Sequence, residues 1–211
     1  MPLKATLQNL ISKVRLKVQT ASLDAAAVKE ATDELAEHNY QYDDSLFPAL
    51  PQKTWPIPAG AAPESLAEAL LWKMGKWKVY RSFVAHYADT ASLAKNDVVF
   101  YAFAKHLANP KNPIYDQHTL RALWAIDALL SREQAAICRR LLATKAGSWK
   151  PILRGANSTD GYVLYAERIA LLVQGGATME ELDKLLMPLG QALKDNTANV
   201  KAFESIAGCA Q

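Results

Sequence analysis

In Asn109-Pro110-Lys111-Asn112-Pro113-Ile114-Tyr115-Asp116-Gln117-His118-Thr119-Leu120-Arg121-Ala122-Leu123-Trp124, a turn and a helix start stand side by side. Two prolines within four residues remove backbone donors and end whatever helix precedes them. Asp116 then has the residue type of an N-cap, whose carboxylate accepts the first free N–H groups of a helix, and the helical pattern it opens runs to about Leu130. Immediately upstream, Asp97 to Ala108 reads as a helix with Asn96 as its cap. Immediately downstream, Ser131-Arg132-Glu133-Gln134 has capping-box spacing and starts a helix to about Thr144.

Working outward, the same periodicity fills most of the chain. Leu3, Leu7, Leu10, Ile11, Val14 and Val18 form an apolar stripe, with Lys13, Arg15 and Lys17 on a basic opposite face. A second helix, about Leu23 to His38 after Ser22 as cap, carries Glu30, Asp33, Glu34 and Glu37. From Asn39 to Pro63, prolines 48, 51, 56, 58 and 63 break the pattern, and Phe47 and Trp55 offer apolar anchors for a long ordered loop. Helices follow over Glu64 to Met74 and Trp77 to Tyr87. Past the central stretch they resume over Asp160 to Gln174, ending at Gly175-Gly176. A second capping box, Thr178-Met179-Glu180-Glu181, launches a helix to about Lys194, and a short one starts at Asn199. No alternating strand pattern and no solenoid period is present. The expected fold is therefore all-α, one compact multi-helix domain over 1–211.

Composition narrows the function classes. Of the 211 residues, 50% are hydrophobic and 21% charged, a globular balance with ample material for a core. The longest apolar runs, such as Val98 to Ala104, fall short of the roughly 20 residues a bilayer demands, and the N-terminus lacks an apolar signal core. The expectation is a cytoplasmic protein with no membrane partner. Cys138 and Cys209 cannot frame a disulfide scaffold, and His38, His86, His106 and His118 form no paired metal motif, so neither metal nor cofactor is expected. A net charge of +3 permits a polyanion without requiring one.

The run from Pro113 through Asp116 and His118 into an apolar helix resembles the proline-rich loop and aspartate of the helix-hairpin-helix DNA glycosylases. Val98-Val99-Phe100-Tyr101-Ala102-Phe103 resembles the second helix of that family's hairpin in its apolar pattern and its distance from Asp116, and Gly161 to Glu167 adds a fainter echo. The resemblance covers about a quarter of the chain. It implies the glycosylase-type helical fold, DNA as the partner, and Asp116 as the catalytic carboxylate, with Tyr115 and His118 in support. The departures are specific: Ala91 to Asp97 holds no glycine where the hairpin has its glycines, and Asp97 occupies the place of the nucleophilic lysine found in the bifunctional members. Schiff-base chemistry at that position is excluded, with Lys95 the nearest substitute, so the implied activity is monofunctional base excision. A degenerate relative of the same fold, binding nucleic acid or another protein without catalysis, is the competing reading.

Without hairpin glycines, bare backbone N–H groups cannot approach phosphate closely, so the grip on DNA must come from elsewhere. Trp72-Lys73-Met74-Gly75-Lys76-Trp77-Lys78-Val79-Tyr80-Arg81 interleaves cations with aromatic faces, and Trp72, Lys73, Lys76, Trp77, Lys78, Arg81 and Lys95 are the candidate nucleic-acid contacts. Cations hold phosphates, and a base stacked on an aromatic face contributes roughly 1–3 kcal/mol. Each feature also has a purely structural reading. Asp116 is a preferred cap, His118 fits a bond to a carbonyl, the aromatics have helical core spacing, and Asn96 as a cap accounts for Lys95 and Asp97. The polar loop from Gly147 to Gly161 suits either an anion at a helix start or a plain connector.

Overall fold

The computed structural model describes residues 3–43, 45, 50, 51, 53–92, 97–150 and 159–208. Ten α-helices occur among them: α1 Leu3–Gln19, α2 Ala25–Ala36, α3 Leu66–Lys73, α4 Trp77–Tyr87, α5 Val98–Ala108, α6 Gln117–Ile126, α7 Arg132–Leu142, α8 Thr159–Leu172, α9 Met179–Asn196 and α10 Val200–Ala207. No strand is present among the described residues; Ala143 and Trp149 form an isolated β-bridge. The chain is an all-α single compact domain, and none of its described helices is long and apolar enough to cross a membrane.

The helix that follows the proline turn is the centre of the molecule. Every residue of α6 except His118 is buried, and α6 packs chiefly on α9, with α1, α7, α8 and α10 completing its surroundings. The approach to α9 is made at a glycine: a Cβ at Gly190 would stand 1.9 Å from the His118 carbonyl oxygen. Leu7, Leu10, Ile11, Val14 and Val18 deliver the predicted stripe of α1 into this core. The acidic set of α2 faces outward, with Glu30 and Glu34 paired to Lys13 at 3.3 and 3.2 Å.

Helix starts follow their caps. Ser131 and Thr178 close the predicted capping boxes, and Ser65 closes a third at α3. The cap of α2 is Asp24 rather than Ser22: its carboxylate accepts the Ala27 N–H at 2.8 Å, while the Ser22 hydroxyl bonds Thr20 instead. At its far end α6 stops at Ile126, short of the expected Leu130. Asp127 leaves the helix to meet Arg168 of α8 and to accept the Leu129 N–H. At α5, Asp97 occupies the cap position without making a side-chain cap bond, because its carboxylate accepts the Ser82 hydroxyl of α4 at 2.8 Å. Asn96, Phe47 and the loop from 151 to 158 lie outside the described residues. The second anchor of the proline-rich loop is Trp55, whose N–H donates to the Tyr87 hydroxyl at 2.9 Å.

Helices α4 and α5 pack against each other, with Phe83 stacked on Phe103 at 5.6 Å. A ladder of rings joins this pair to the main body: His86 to Tyr101 at 5.4 Å, Tyr101 to Tyr162 at 5.8 Å, Tyr162 to Tyr115 at 5.7 Å, and Tyr115 to Tyr165 at 5.4 Å. Edge-on and tilted contacts of this kind suit the ring quadrupoles.

Candidate functional site

Asp116 stands at the start of the central helix in extended backbone conformation. Its Oδ1 accepts the N–H groups of His118 at 2.6 Å and Thr119 at 2.8 Å, and the Thr119 hydroxyl accepts the Asp116 N–H at 2.9 Å. The capping reading is thus fully realised on one oxygen. Oδ2 takes no hydrogen bond among the described residues, and the side chain is only half-buried.

The charge of Asp116 reaches Asp183, Arg121, His118 and Tyr165. Asp183, on α9, makes no hydrogen bond or ion pair among the described residues, and burial, followed by the charge of Asp116, pushes its carboxyl up to about 7. Arg121 is 1% exposed. Its Nη1 donates to the Gly190 carbonyl at 3.1 Å, its guanidinium lies 4.6 Å from the Trp149 ring centre, and its Nε has no hydrogen-bond partner among the described residues. Burial brings Arg121 down to about 10, against the opposing pull of Asp116 and Asp195. His118 is held below its ordinary range, chiefly by burial, although Asp116 and a bond to the Gly190 backbone act the other way. Tyr165, whose phenol burial also drives up, packs between Thr119, Asp183 and Tyr115.

Tyr115 is a core residue with no exposed surface, and its hydroxyl has no partner among the described residues. Its ring packs against Tyr162 and Tyr165. The sequence held one hint of Arg121, a guanidinium inside an otherwise apolar run. Asp183 gave none, because a lone carboxylate one turn into an amphipathic helix reads equally well as part of its solvated face.

Asp183 also makes a prediction of its own. Its folded pKa of about 7 lies above the ordinary 3.8. Between those values the native state holds more protons than the unfolded state, so stability falls as pH rises from about 4 to about 7. Asp183→Asn should flatten that slope in urea titrations taken at successive pH values. It should leave stability near pH 4 unchanged and raise it at pH 8 by on the order of 4 kcal/mol. An unaltered slope would show that Asp183 is not the group responsible.

The basic-aromatic segment divides into two parts. Trp77 is half-buried against Tyr80 at 5.5 Å, and the Tyr80 hydroxyl donates to Glu68 at 2.6 Å, which with burial pushes the phenol up to about 12. Arg81 donates to the Gly60 carbonyl. Trp77 and Tyr80 are thus engaged in local packing, while Arg81 is exposed and tied to the preceding loop by its bond. Trp72 is 60% exposed, and Lys73, Lys76 and Lys78 are exposed without ion pairs among the described residues. Lys95 lies outside the described residues. Helix α4 packs on α3 and α5, whereas α6 packs on other elements, so the ring ladder is what connects this segment to Asp116.

Among the described residues, no group of histidine, cysteine, aspartate and glutamate side chains is placed to hold a metal ion. No family model matches the chain, and neither a curated protein nor a solved structure matches it.

Proposed function

We propose that this protein is a DNA-binding, monofunctional glycosylase-like hydrolase with Asp116 as its catalytic carboxylate. The observation that carries the reading is Asp116 at the start of the central helix, with one oxygen fixed by two cap bonds and the other open, within electrostatic reach of a second carboxyl, Asp183, that burial pushes up to about 7. Two carboxyl groups, one that keeps its proton and one with an open oxygen, supply both halves of glycosidic C–N hydrolysis. As the bond between C1′ and the base nitrogen breaks, the Asp183 proton passes to the departing base, and Asp116 stabilises the positive charge developing at C1′. Water then adds to C1′ and gives its proton to Asp116, and exchange with solvent restores the starting protonation. Trp72, Lys73, Lys76 and Lys78 form the exposed cationic and aromatic path for the nucleic acid.

A catalytically silent relative of the same kind is favoured by one observation, the two cap bonds on Oδ1, which give Asp116 a stability role of about 1 kcal/mol without any chemistry. Asp116→Asn separates the readings. Asparagine caps about as well as aspartate, so the thermal midpoint should barely move. Base release from a damaged duplex should disappear while salt-sensitive duplex binding persists. Fluorescence anisotropy provides the companion test: a duplex bearing a cationic abasic-site mimic should bind more tightly than an undamaged duplex at equal salt. Absence of release from any damaged duplex by the unsubstituted protein would dispose of the enzymatic reading.

A further inference from the structure

Helix α3 is built inside out. Its one carboxylate, Glu68, is 5% exposed and turned inward, where it accepts the N–H groups of Glu64 at 2.6 Å and Ser65 at 2.9 Å and the Tyr80 hydroxyl at 2.6 Å. Its apolar side chains face solvent instead: Leu66 is 89% exposed, Leu70 59%, Trp72 60%, and Met74 at the C-cap 59%. Leu66, Leu70 and Met74 are spaced four apart and therefore lie along one ridge. The central helices do the reverse, and a contiguous exposed apolar ridge on a folded domain marks a surface that something covers.

The chemistry around the ridge narrows the occupant. Lys73, Lys76 and Lys78 border it without ion pairs among the described residues, so the complementary surface is acidic. A second copy of this chain would set lysine against lysine. A ridge of eight residues is about 12 Å long and offers far less than the roughly 800 Å² per partner that a stable globular interface needs. Leucine and methionine give phosphate no hydrogen bond and bases no flat face, so nucleic acid does not account for the ridge. Two or three turns of one helix match its length and its spacing.

We propose that the outward ridge of α3 docks an acidic amphipathic helix of a partner protein, its apolar row packing along Leu66, Leu70 and Met74 and its carboxylates reaching Lys73 and Lys76. This goes beyond the nucleic-acid reading and does not depend on it.

The test uses the whole protein and labelled 16-residue amphipathic peptides with one leucine face and either glutamates or lysines on the other, read by anisotropy and by Trp72 fluorescence. The glutamate peptide should bind at least about tenfold more tightly than the lysine peptide, by an amount that shrinks with added salt. Leu66→Ser with Leu70→Ser should weaken glutamate-peptide binding about tenfold or more, with the thermal midpoint held because both side chains are exposed. Lys73→Glu with Lys76→Glu, a second and independent variant, should weaken it similarly. Duplex affinity should stay within about twofold in the leucine variant, which separates this proposal from the nucleic-acid reading. Failure of the glutamate peptide to bind, or binding indifferent to the leucines, overturns the proposal. So does a dimer that the leucine substitutions dissolve, leucine-dependent duplex binding, or leucine-dependent attachment to phosphatidylserine vesicles tighter than to the peptide.

Discussion

Replacing Arg168 with alanine is expected to lower the unfolding free energy by about 3–5 kcal/mol, read as a fall in urea midpoint at constant slope. Arg168 Nε donates to Asp127 Oδ2 at 2.6 Å and Nη2 to Oδ1 at 2.9 Å, with the two side chains 10% and 0% exposed. A two-pronged pair of this kind matches a flat guanidinium to a flat carboxylate. Its removal on one side strands a charge where water cannot reach it, and that stranded charge supplies most of the loss. The pair also makes the join between the end of α6 and α8, since Asp127 Oδ1 receives the Leu129 N–H at 3.0 Å and terminates the helix. The double change Arg168→Met with Asp127→Leu should recover a large part of the loss, because an apolar pair requires no desolvation of charge. A loss under about 1 kcal/mol for the single change would mean the pair is solvated in solution.

The second large effect lies at the crossing of α6 and α9. Gly190→Ala should cost about 3 kcal/mol, at the upper end for overpacking, because the added carbon would fall 1.9 Å from the His118 carbonyl oxygen and 2.5 Å from its carbon. The obstacle is backbone of the most buried helix rather than a mobile side-chain tip, so it yields only if α6 and α9 part. The change should therefore disturb the site as well as stability. Arg121 bonds the Gly190 carbonyl, and Asp183 of α9 feels the charge of Asp116 across this crossing. Gly208→Ala is the control. Its φ of 64° strains alanine, yet no atom lies within 4 Å of the added carbon, so a cost of about 1 kcal/mol is expected there. Equal losses at the two glycines would remove the crowding argument.

These two positions show where sequence reading gains and loses purchase. The helical nature of α6 and its Asp116 cap were legible, because a proline turn, a capping residue and an apolar period are local properties. Its stopping point was not, because Asp127 leaves the helix for Arg168 of α8. Ser22 was the expected cap of α2 and Asp24 is the real one: both residue types suit the task, and only backbone geometry selects between them. The basic-aromatic run was legible as composition, but its division into half-buried Trp77 and Tyr80, an exposed Arg81 bonded to Gly60, and exposed Trp72, Lys73, Lys76 and Lys78 was not.

What the sequence determined by itself is the all-α class, the near-complete set of helices and the identity of Asp116 as a helix cap, since caps, prolines and a period of 3.6 act over a few residues. The tertiary structure alone decided that Asp183 is buried within electrostatic reach of Asp116, that Arg121 is buried over Trp149, and that α3 turns its leucines outward and its glutamate in. Such placements depend on which helix faces are pressed together. That outcome belongs to the packing of α9 on α6 and of α4 on α3, and no local pattern in the chain encodes it.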